Sequence, residues 1–200
     1  MAMEKENIQN LLLRIGRKMV QENGTEALTV RKLSEASGCS VGAIYNQFSN
    51  MDNFVLIQNY MTLEALAKEL NQTHETSDAF ADLNKFLEIF VQYVLNNKNL
   101  WHLLYRFHLN NARHNYTYFY MRQIVKIIRI IKSLLHRIVP QMERPERALT
   151  AQILWMTIFA LSSLLTNDIL DTFSKVNKKT ICQLVVNTYI AGLSVLEGKK

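Results

Sequence analysis

The residues best suited to chemistry lie in the stretch LTVRKLSEASGCSVGAIYNQF, which covers residues 28–48. Its second half begins with three small residues, Ser40, Gly42 and Ala43. It ends with three hydrogen-bonding side chains and no carboxylate, Tyr45, Asn46 and Gln47. A helix that starts with small residues lets its backbone approach another molecule, and its free N–H groups can then meet phosphate or base edges. This combination favours contact with DNA.

Two short helical patterns position these residues, and a glycine separates them. Thr29 is a suitable cap for the first helix, Gly38 can adopt the positive φ of a tight turn, and Ser40 can cap the second helix. The residues expected to face inward are Val30, Leu33 and Ala36 in the first helix and Val41, Ile44 and Phe48 in the second. With a preceding helix over residues 4–23 to bury their apolar sides, the pattern predicts a helix-turn-helix.

Residues 8–58 resemble the DNA-binding domain of the TetR family of one-component bacterial transcriptional regulators. The resemblance rests on Gly24, LTVRKLSEASG, SVGAIYNQF and the following Asn50, Asp52 and Phe54. It implies that phosphates are contacted by Thr29, Tyr45 and Gln47. It also implies that bases are approached by Arg31, Val41, Gly42, Ala43 and Asn46, beside Ser40 at the helix start. The chain departs from the family pattern at Cys39, Ser49 and Met51, where the family often has valine, lysine and lysine.

Composition indicates an all-α protein. The chain has 200 residues, of which 48% are hydrophobic, with only two prolines and six glycines among long runs at helical spacing. Its two cysteines, Cys39 and Cys182, have no partner at metal-ligand spacing, so neither a disulfide framework nor a metal site is expected. Since the N-terminal residues lack the pattern of a secretion signal, we expect a cytoplasmic protein.

The layout predicts about nine helices in two domains. We expect a three-helix DNA-binding domain at residues 1–50, a linking helix at about 50–71 that Asn50 can cap, and a larger helical domain for ligand binding and dimerisation at 72–200. Pro140 is expected to end one helix, and Pro145 fits the first turn of the next. This layout is also what the TetR resemblance implies.

Positive charge is concentrated outside the helix-turn-helix. Residues 1–50 hold six basic and five acidic residues, whereas residues 98–137 hold eight basic residues and no acidic one. Four of the basic residues recur at helical spacing, Arg122, Lys126, Arg129 and Lys132. They predict an amphipathic helix with a cationic face. That face is interpreted as a solvated surface, with an anionic-ligand or DNA-backbone role as the alternative.

Aromatic residues suggest a ligand pocket in the second half of the chain. The candidate lining residues are Trp101, Tyr105, His108, Tyr120, Trp155 and Phe159. They would form an apolar pocket with a few polar anchors for a small apolar or amphipathic effector. Packing in an ordinary hydrophobic core is the alternative for each of them.

Two uncharged runs, at residues 148–167 and 180–196, are apolar enough to bury more than one side. A membrane span is the alternative, but the polar residues within both runs disfavour it. Burial against a second copy in a four-helix interface fits better. The candidate interface residues are Ile153, Ile158, Leu161, Leu165, Leu184, Tyr189 and Gly192. Two recognition helices related by a two-fold axis would then read a palindromic operator.

No enzymatic site is indicated by the sequence. His102, His108 and His114 are spaced by six and do not share a helical face, and there is no phosphate-binding glycine loop or nucleophile elbow. We therefore expect no catalytic residue, metal or cofactor. The preferred hypothesis is a homodimeric, ligand-responsive DNA-binding repressor. An all-α carrier or partner-binding bundle, and a helical enzyme using the aromatic pocket, are the alternatives.

Overall fold

The computed structural model describes residues 7–72, 75–110, 118–166 and 178–197. Over these ranges the chain forms nine α-helices, one 3-10 turn at Thr25–Ala27 and no strand. The helices are α1 Ile8–Asn23, α2 Val30–Ser37, α3 Val41–Phe48, α4 Met51–Leu70, α5 Ala79–Asn96, α6 Lys98–Asn110, α7 Tyr118–Ile138, α8 Arg144–Leu165 and α9 Lys178–Glu197. The prediction of an all-α fold with an N-terminal helix-turn-helix is confirmed.

Contacts divide the chain into two compact units. The first contains residues 1–62 and 97–120, and the second contains residues 63–96 and 121–200. Helix α6 therefore groups with the N-terminal helices, and α4 contributes to both units. The domain boundaries taken from the sequence, residues 1–50 and 72–200 with a linking helix between them, stay a prediction.

The first unit is built around one small apolar core. It consists of Leu12 from α1, Leu33 from α2, Ile44 and Phe48 from α3, and Phe54 from α4. The Phe48 and Phe54 rings meet edge to face with their centroids 4.8 Å apart, a favoured aromatic geometry. We refer to these four helices as the reader. Because each of them contributes to the core, the orientation of α3 depends on all four.

Side-chain caps define the ends of the short helices. The backbone N–H of Lys32 donates to Thr29 Oγ1 at 3.3 Å, and that of Ala43 donates to Ser40 Oγ at 3.2 Å. Gly38 has φ +70°, the left-handed conformation that glycine adopts without strain. Asn50 caps α4 by accepting from the N–H of Asn53 at 2.8 Å. The caps and the turn predicted from the sequence are therefore present.

Two residues expected to face inward are exposed instead, Ala36 and Val41. Leu33, Ile44 and Phe48 are buried as expected. Val41 is the first residue of α3, and Ala36 lies in the last turn of α2. Each stands at the end of an eight-residue helix, beyond the reach of the small core.

The second unit contains α5 and most of α7, together with α8 and α9. On α5, Phe86 and Phe90 are fully buried, and the Phe90 ring meets Trp155 of α8 edge to face at 6.0 Å. On α7 most of the isoleucines and leucines are buried, while Arg122, Arg129 and Lys132 are exposed. The amphipathic helix with a cationic face is present, and Pro145 lies in the first turn of α8 as expected.

One helix among the described residues, α8, is long and apolar enough to cross a membrane by length and composition. About 44% of its most apolar window is buried inside the protein. Core helices of proteins without any membrane segment pass the same test, so α8 alone is weak evidence for a span.

Candidate nucleic-acid interface

The residues predicted to contact DNA are almost all exposed. Eight of the nine are exposed, Thr29, Arg31, Ser40, Val41, Gly42, Tyr45, Asn46 and Gln47, and Ala43 is half-buried. Val41 is 38% exposed and Tyr45 is 40% exposed, which leaves both side chains free to contact another molecule. The same helix buries Ile44 and Phe48 in the core. Helix α3 is thus fixed by its inner side and presents a polar, carboxylate-free outer side.

The start of α3 is open to close approach. A Cβ added to Gly42 would meet only Ser40 Oγ, at 3.9 Å. Arg31 and Lys32, in the first turn of α2, are also exposed. Small residues at a helix start, with basic residues on the preceding helix, suit a duplex whose backbone is negatively charged.

Helix α6 supports the reader through contacts that the sequence analysis missed. Asn99 Nδ2 donates to the carbonyl of Gln21 at 2.9 Å, near the end of α1. Arg106 donates to Thr25 Oγ1 at 2.9 Å and to the Glu26 carboxylate. The Arg106 hydrogen bond, and then its charge, lower the pKa of Glu26. These contacts join residues about eighty positions apart, and no local pattern in the sequence marks them.

An apolar contact accompanies these polar ones. Leu100 and Leu103 of α6 pack with Val20 of α1, and Leu28 and Val55 lie against them. The 3-10 turn that α6 contacts is separated by one residue, Leu28, from Thr29, the cap of α2. A displacement of α6 would therefore be felt at the start of the helix-turn-helix.

The predicted pocket residues are divided between the two units. In the first, Trp101 and Tyr120 are fully buried and Tyr105 is half-buried. In the second, the Trp155 and Phe159 rings lie 5.7 Å apart. His108 is in α6, but its side chain lies outside the described part of the structure. A single pocket formed by all six residues stays a prediction.

The predicted dimer residues fall into two groups. Ile158 and Leu165 are buried inside the protomer, which removes them from any surface that a partner could reach. Ile153, Leu161 and Tyr189 are half-buried, and Leu184 and Gly192 are exposed. Three further apolar residues of α8 are exposed and were missed, Leu149, Met156 and Leu164. They follow one another at helical spacing, so the exposed face of α8 is rotated from the predicted one.

The second unit also contains a half-buried ion pair between α5 and α7. Arg137 Nη1 donates to Asp82 Oδ2 at 2.6 Å, and Thr76 donates to the same carboxylate through its N–H at 2.9 Å and its hydroxyl at 2.7 Å. The hydrogen bonds from Thr76, followed by that from Arg137, lower the pKa of Asp82. The charged partners are 55 residues apart, and no spacing rule in the sequence pairs them.

Titratable groups that could hold a metal do not cluster in the described residues: no group of three or more His, Cys, Asp or Glu side chains is arranged for it. Burial raises the pKa of Cys182 to about 11, which keeps the thiol protonated and suits a packing role.

Comparison with known proteins agrees with this geometry. Residues 12–56 match the family model described as "Bacterial regulatory proteins, tetR family". No curated protein sequence matches the chain. Among solved structures, a possible TetR family transcriptional regulator from Streptomyces coelicolor A3(2) superposes with a TM-score of 0.71 at 10% identity, covering 94% of this chain and 99% of that one.

Two further structures have the same fold. The TetR family transcriptional regulator PfmR from Thermus thermophilus has a TM-score of 0.62 at 16% identity, covering 90% of this chain and 97% of that one. A transcriptional regulator from Rhodococcus sp. Rha1 has a TM-score of 0.70 at 16% identity, with coverages of 92% and 96%.

The fold and the exposed α3 define a helix-turn-helix DNA-binding protein of the all-α class. The match over residues 12–56 identifies this part of the chain as a DNA-binding domain of the TetR type, and the chain as a whole has the fold of solved TetR family transcriptional regulators. Proteins of this family are DNA-binding regulators rather than enzymes. The helical-enzyme hypothesis is therefore set aside.

Proposed function

We propose that this regulator is a homodimeric repressor that binds a palindromic operator and is released by a small apolar or amphipathic effector. The observation that carries the proposal is the exposed, carboxylate-free outer side of α3, held in place by Ile44 and Phe48. Phosphate contacts by Thr29, Tyr45 and Gln47 would set the register on the duplex, and Arg31, Val41, Gly42, Ala43 and Asn46 would read bases, with Ser40 at the helix start.

The homodimer is supported by the exposed apolar residues of α8 and α9. Met156 is 57% exposed and Leu184 is 67% exposed, and Leu149, Leu164 and Val195 are exposed on the same two helices. A shallow cavity of about 400 Å³ lies between α8 and α9, lined mainly by apolar side chains such as Leu154 and Val185. An apolar surface of this kind marks an interface. A second copy would cover it and form a four-helix bundle.

The dimer would give the operator its symmetry. Two copies of α3 related by a two-fold axis would enter two major-groove half-sites about 34–36 Å apart, or a multiple of that distance. The operator would therefore be a palindrome, and its two halves would be bound together far more tightly than either half alone. A role on DNA would put the protein in the cytoplasm.

Release by an effector is supported by the contacts of α6. This helix holds α1 through Asn99 and the turn before α2 through Arg106. An effector that shifts α6, or α4, which contributes Phe54 to the reader core, would change the position of the reader. Only a difference in affinity between the two positions would drive release. The repressing direction of regulation and the chemistry of the effector are parts of the same proposal.

Binding of Tyr45→Ala protein to a palindromic operator fragment tests the proposal. Candidate fragments come from the DNA upstream of the protein's own gene and of neighbouring genes. We expect Tyr45→Ala to weaken binding about tenfold, as the loss of one phosphate contact and its packing does. Fluorescence anisotropy at several salt concentrations measures it. Tyr118→Ala is the matched control, because Tyr118 is 76% exposed and outside the predicted interface.

Two results would contradict the proposal. One is the absence of binding to any such fragment at low salt, where attraction to phosphate is strongest. The other is equal affinity of the Tyr45→Ala and wild-type proteins for the operator. Either result would favour the alternative of an all-α carrier or partner-binding bundle.

A further inference from the structure

A cleft of about 550 Å³ lies within the second unit, beside the cationic face of α7. Its walls come from the end of α4, the start of α5 and the middle of α7. The lining includes Lys68 and Leu70 on α4, Phe86 on α5, and Lys126 and Arg129 on α7. The volume is in the range of about 300–1,000 Å³ that is typical of small-molecule sites.

The floor of the cleft is apolar. Ala67, Leu70, Phe86 and Leu134 are buried, and Ile130 is half-buried. These side chains come from three different helices, so packing alone forms the floor. An apolar portion of a ligand placed here would leave water for a hydrocarbon environment.

The carboxylates that line the cleft all have partners. Asp82 accepts hydrogen bonds from Arg137 and Thr76, and Glu75 accepts one from Ser133 at 3.3 Å. Glu64 also takes part in an interaction. The acidic side of the cleft is therefore occupied by contacts within the protein.

The cations that line the cleft differ from these carboxylates in their lack of partners. Within the described ranges, Lys68, Lys126 and Arg129 make no hydrogen bond or ion pair. Lys126 is half-buried, and it lies one helical turn from Arg129 on the same side of α7 as Ile130. Two unpaired cations of this part of α7 therefore stand at the edge of an apolar floor.

We propose that this cleft is the effector site of the regulator and that it binds an amphipathic anion, with the acidic group at Lys126 and Arg129 and the apolar body over Ile130 and Leu134. The proposal deepens the effector part of the proposed function and rests on it. It also assigns a role to the cationic face of α7. The neighbouring Arg122 and Lys132 on the same helix would raise the local positive potential without lining the cleft.

Calorimetric titration with decanoate, and with the uncharged 1-decanol of the same chain length, tests the site. We expect the wild-type protein to bind decanoate at least about tenfold more tightly than 1-decanol, because only the carboxylate gains charge-assisted contacts. The double variant Lys126→Gln, Arg129→Gln should lose that difference. The matched control Arg122→Gln, Lys132→Gln removes the same charge from the same helix and should keep the difference within about twofold.

Two outcomes would contradict the proposal of an anion site in the cleft. Equal affinity of the wild-type protein for decanoate and 1-decanol would show that the cations do not recognise the acid. Equal losses in the two double variants would show a diffuse charge effect in place of a site. Circular dichroism of both variants confirms that the fold is retained.

The operator fragment separates this proposal from the proposed function. We expect decanoate to release the wild-type protein from the operator, and the Lys126→Gln, Arg129→Gln protein to bind the operator normally and resist release. Operator binding without any decanoate binding would contradict only the assignment of the cleft as the effector site. Decanoate binding with the expected variant pattern, but no operator binding, would contradict the proposed function. It would still support the cleft as a site for an amphipathic anion.

Discussion

Two pairs of helices differ in what determines their exposed surfaces: the short helices α2 and α3, and the long helices α8 and α9. Each of the short helices has only eight residues, is capped by its own Thr29 or Ser40, and exposes the residues that it exists to present. Helices α8 and α9 are more than twice as long, and many of their exposed residues are apolar. The ends and the exposed side of α2 and α3 are therefore set by local residues, whereas the exposed side of α8 and α9 depends on which helices pack against them.

Met156→Asp tests the dependence of α8 on a second copy and has the largest expected effect. A carboxylate buried without a partner in the proposed dimer interface costs about 3 kcal/mol or more, so dimerisation should weaken by over about a hundredfold. Analytical ultracentrifugation measures the dissociation constant. Val125→Asp is the control, because Val125 is an exposed apolar residue of α7, 41% exposed. An unchanged dimer in Met156→Asp would show that the interface lies elsewhere.

Gly42→Glu tests whether the outer side of α3 alone determines DNA binding. The position is open to a side chain, so the fold should be retained. The carboxylate would meet phosphate and should weaken operator affinity by about a hundredfold, since like charges at an interface cost several kcal/mol. Gly42→Gln has a similar volume without the charge and should lose much less in the same anisotropy assay. Full operator affinity in Gly42→Glu would contradict the assignment of α3.

Gly16→Ala tests how far the reader depends on packing between distant residues. A Cβ at this position would lie 2.6 Å from Cζ of Phe54, whose side chain is fully buried. Overpacking costs about 1–3 kcal/mol, and the better helix propensity of alanine returns about 1 kcal/mol. We expect the free energy of unfolding to fall by about 1 kcal/mol in urea titrations. Gly42→Ala, which meets no such neighbour, should be neutral or stabilising.

Asn50→Ala tests the local chemistry of the reader, and its expected effect is as small as that of Gly16→Ala. Loss of the Asn50 cap on the N–H of Asn53 should lower the free energy of unfolding by about 1 kcal/mol. Asn50→Asp keeps an acceptor at the same place and should restore most of that loss. Equal stability of the alanine variant and the wild-type protein in urea would mean that the cap contributes nothing.

Local sequence was sufficient to predict the helix-turn-helix. The capping residues Thr29, Ser40 and Asn50 and the turn at Gly38 act within a few positions of their own helices, so their types and spacing identify them. The exposed residues of α3 followed from the same periodicity. Val41 was misplaced because the edge of a small core cannot be located from one helix.

Packing between helices set the remaining features. The contact of Arg106 with Glu26, the pairing of Arg137 with Asp82 and the cleft at Lys126 each join residues from separate parts of the chain. The face of α8 that Met156 exposes was likewise set by which residues the neighbouring helices cover. An apolar helix without charges carries no mark of which side will be buried, since several rotations about its axis satisfy its sequence and only packing selects one.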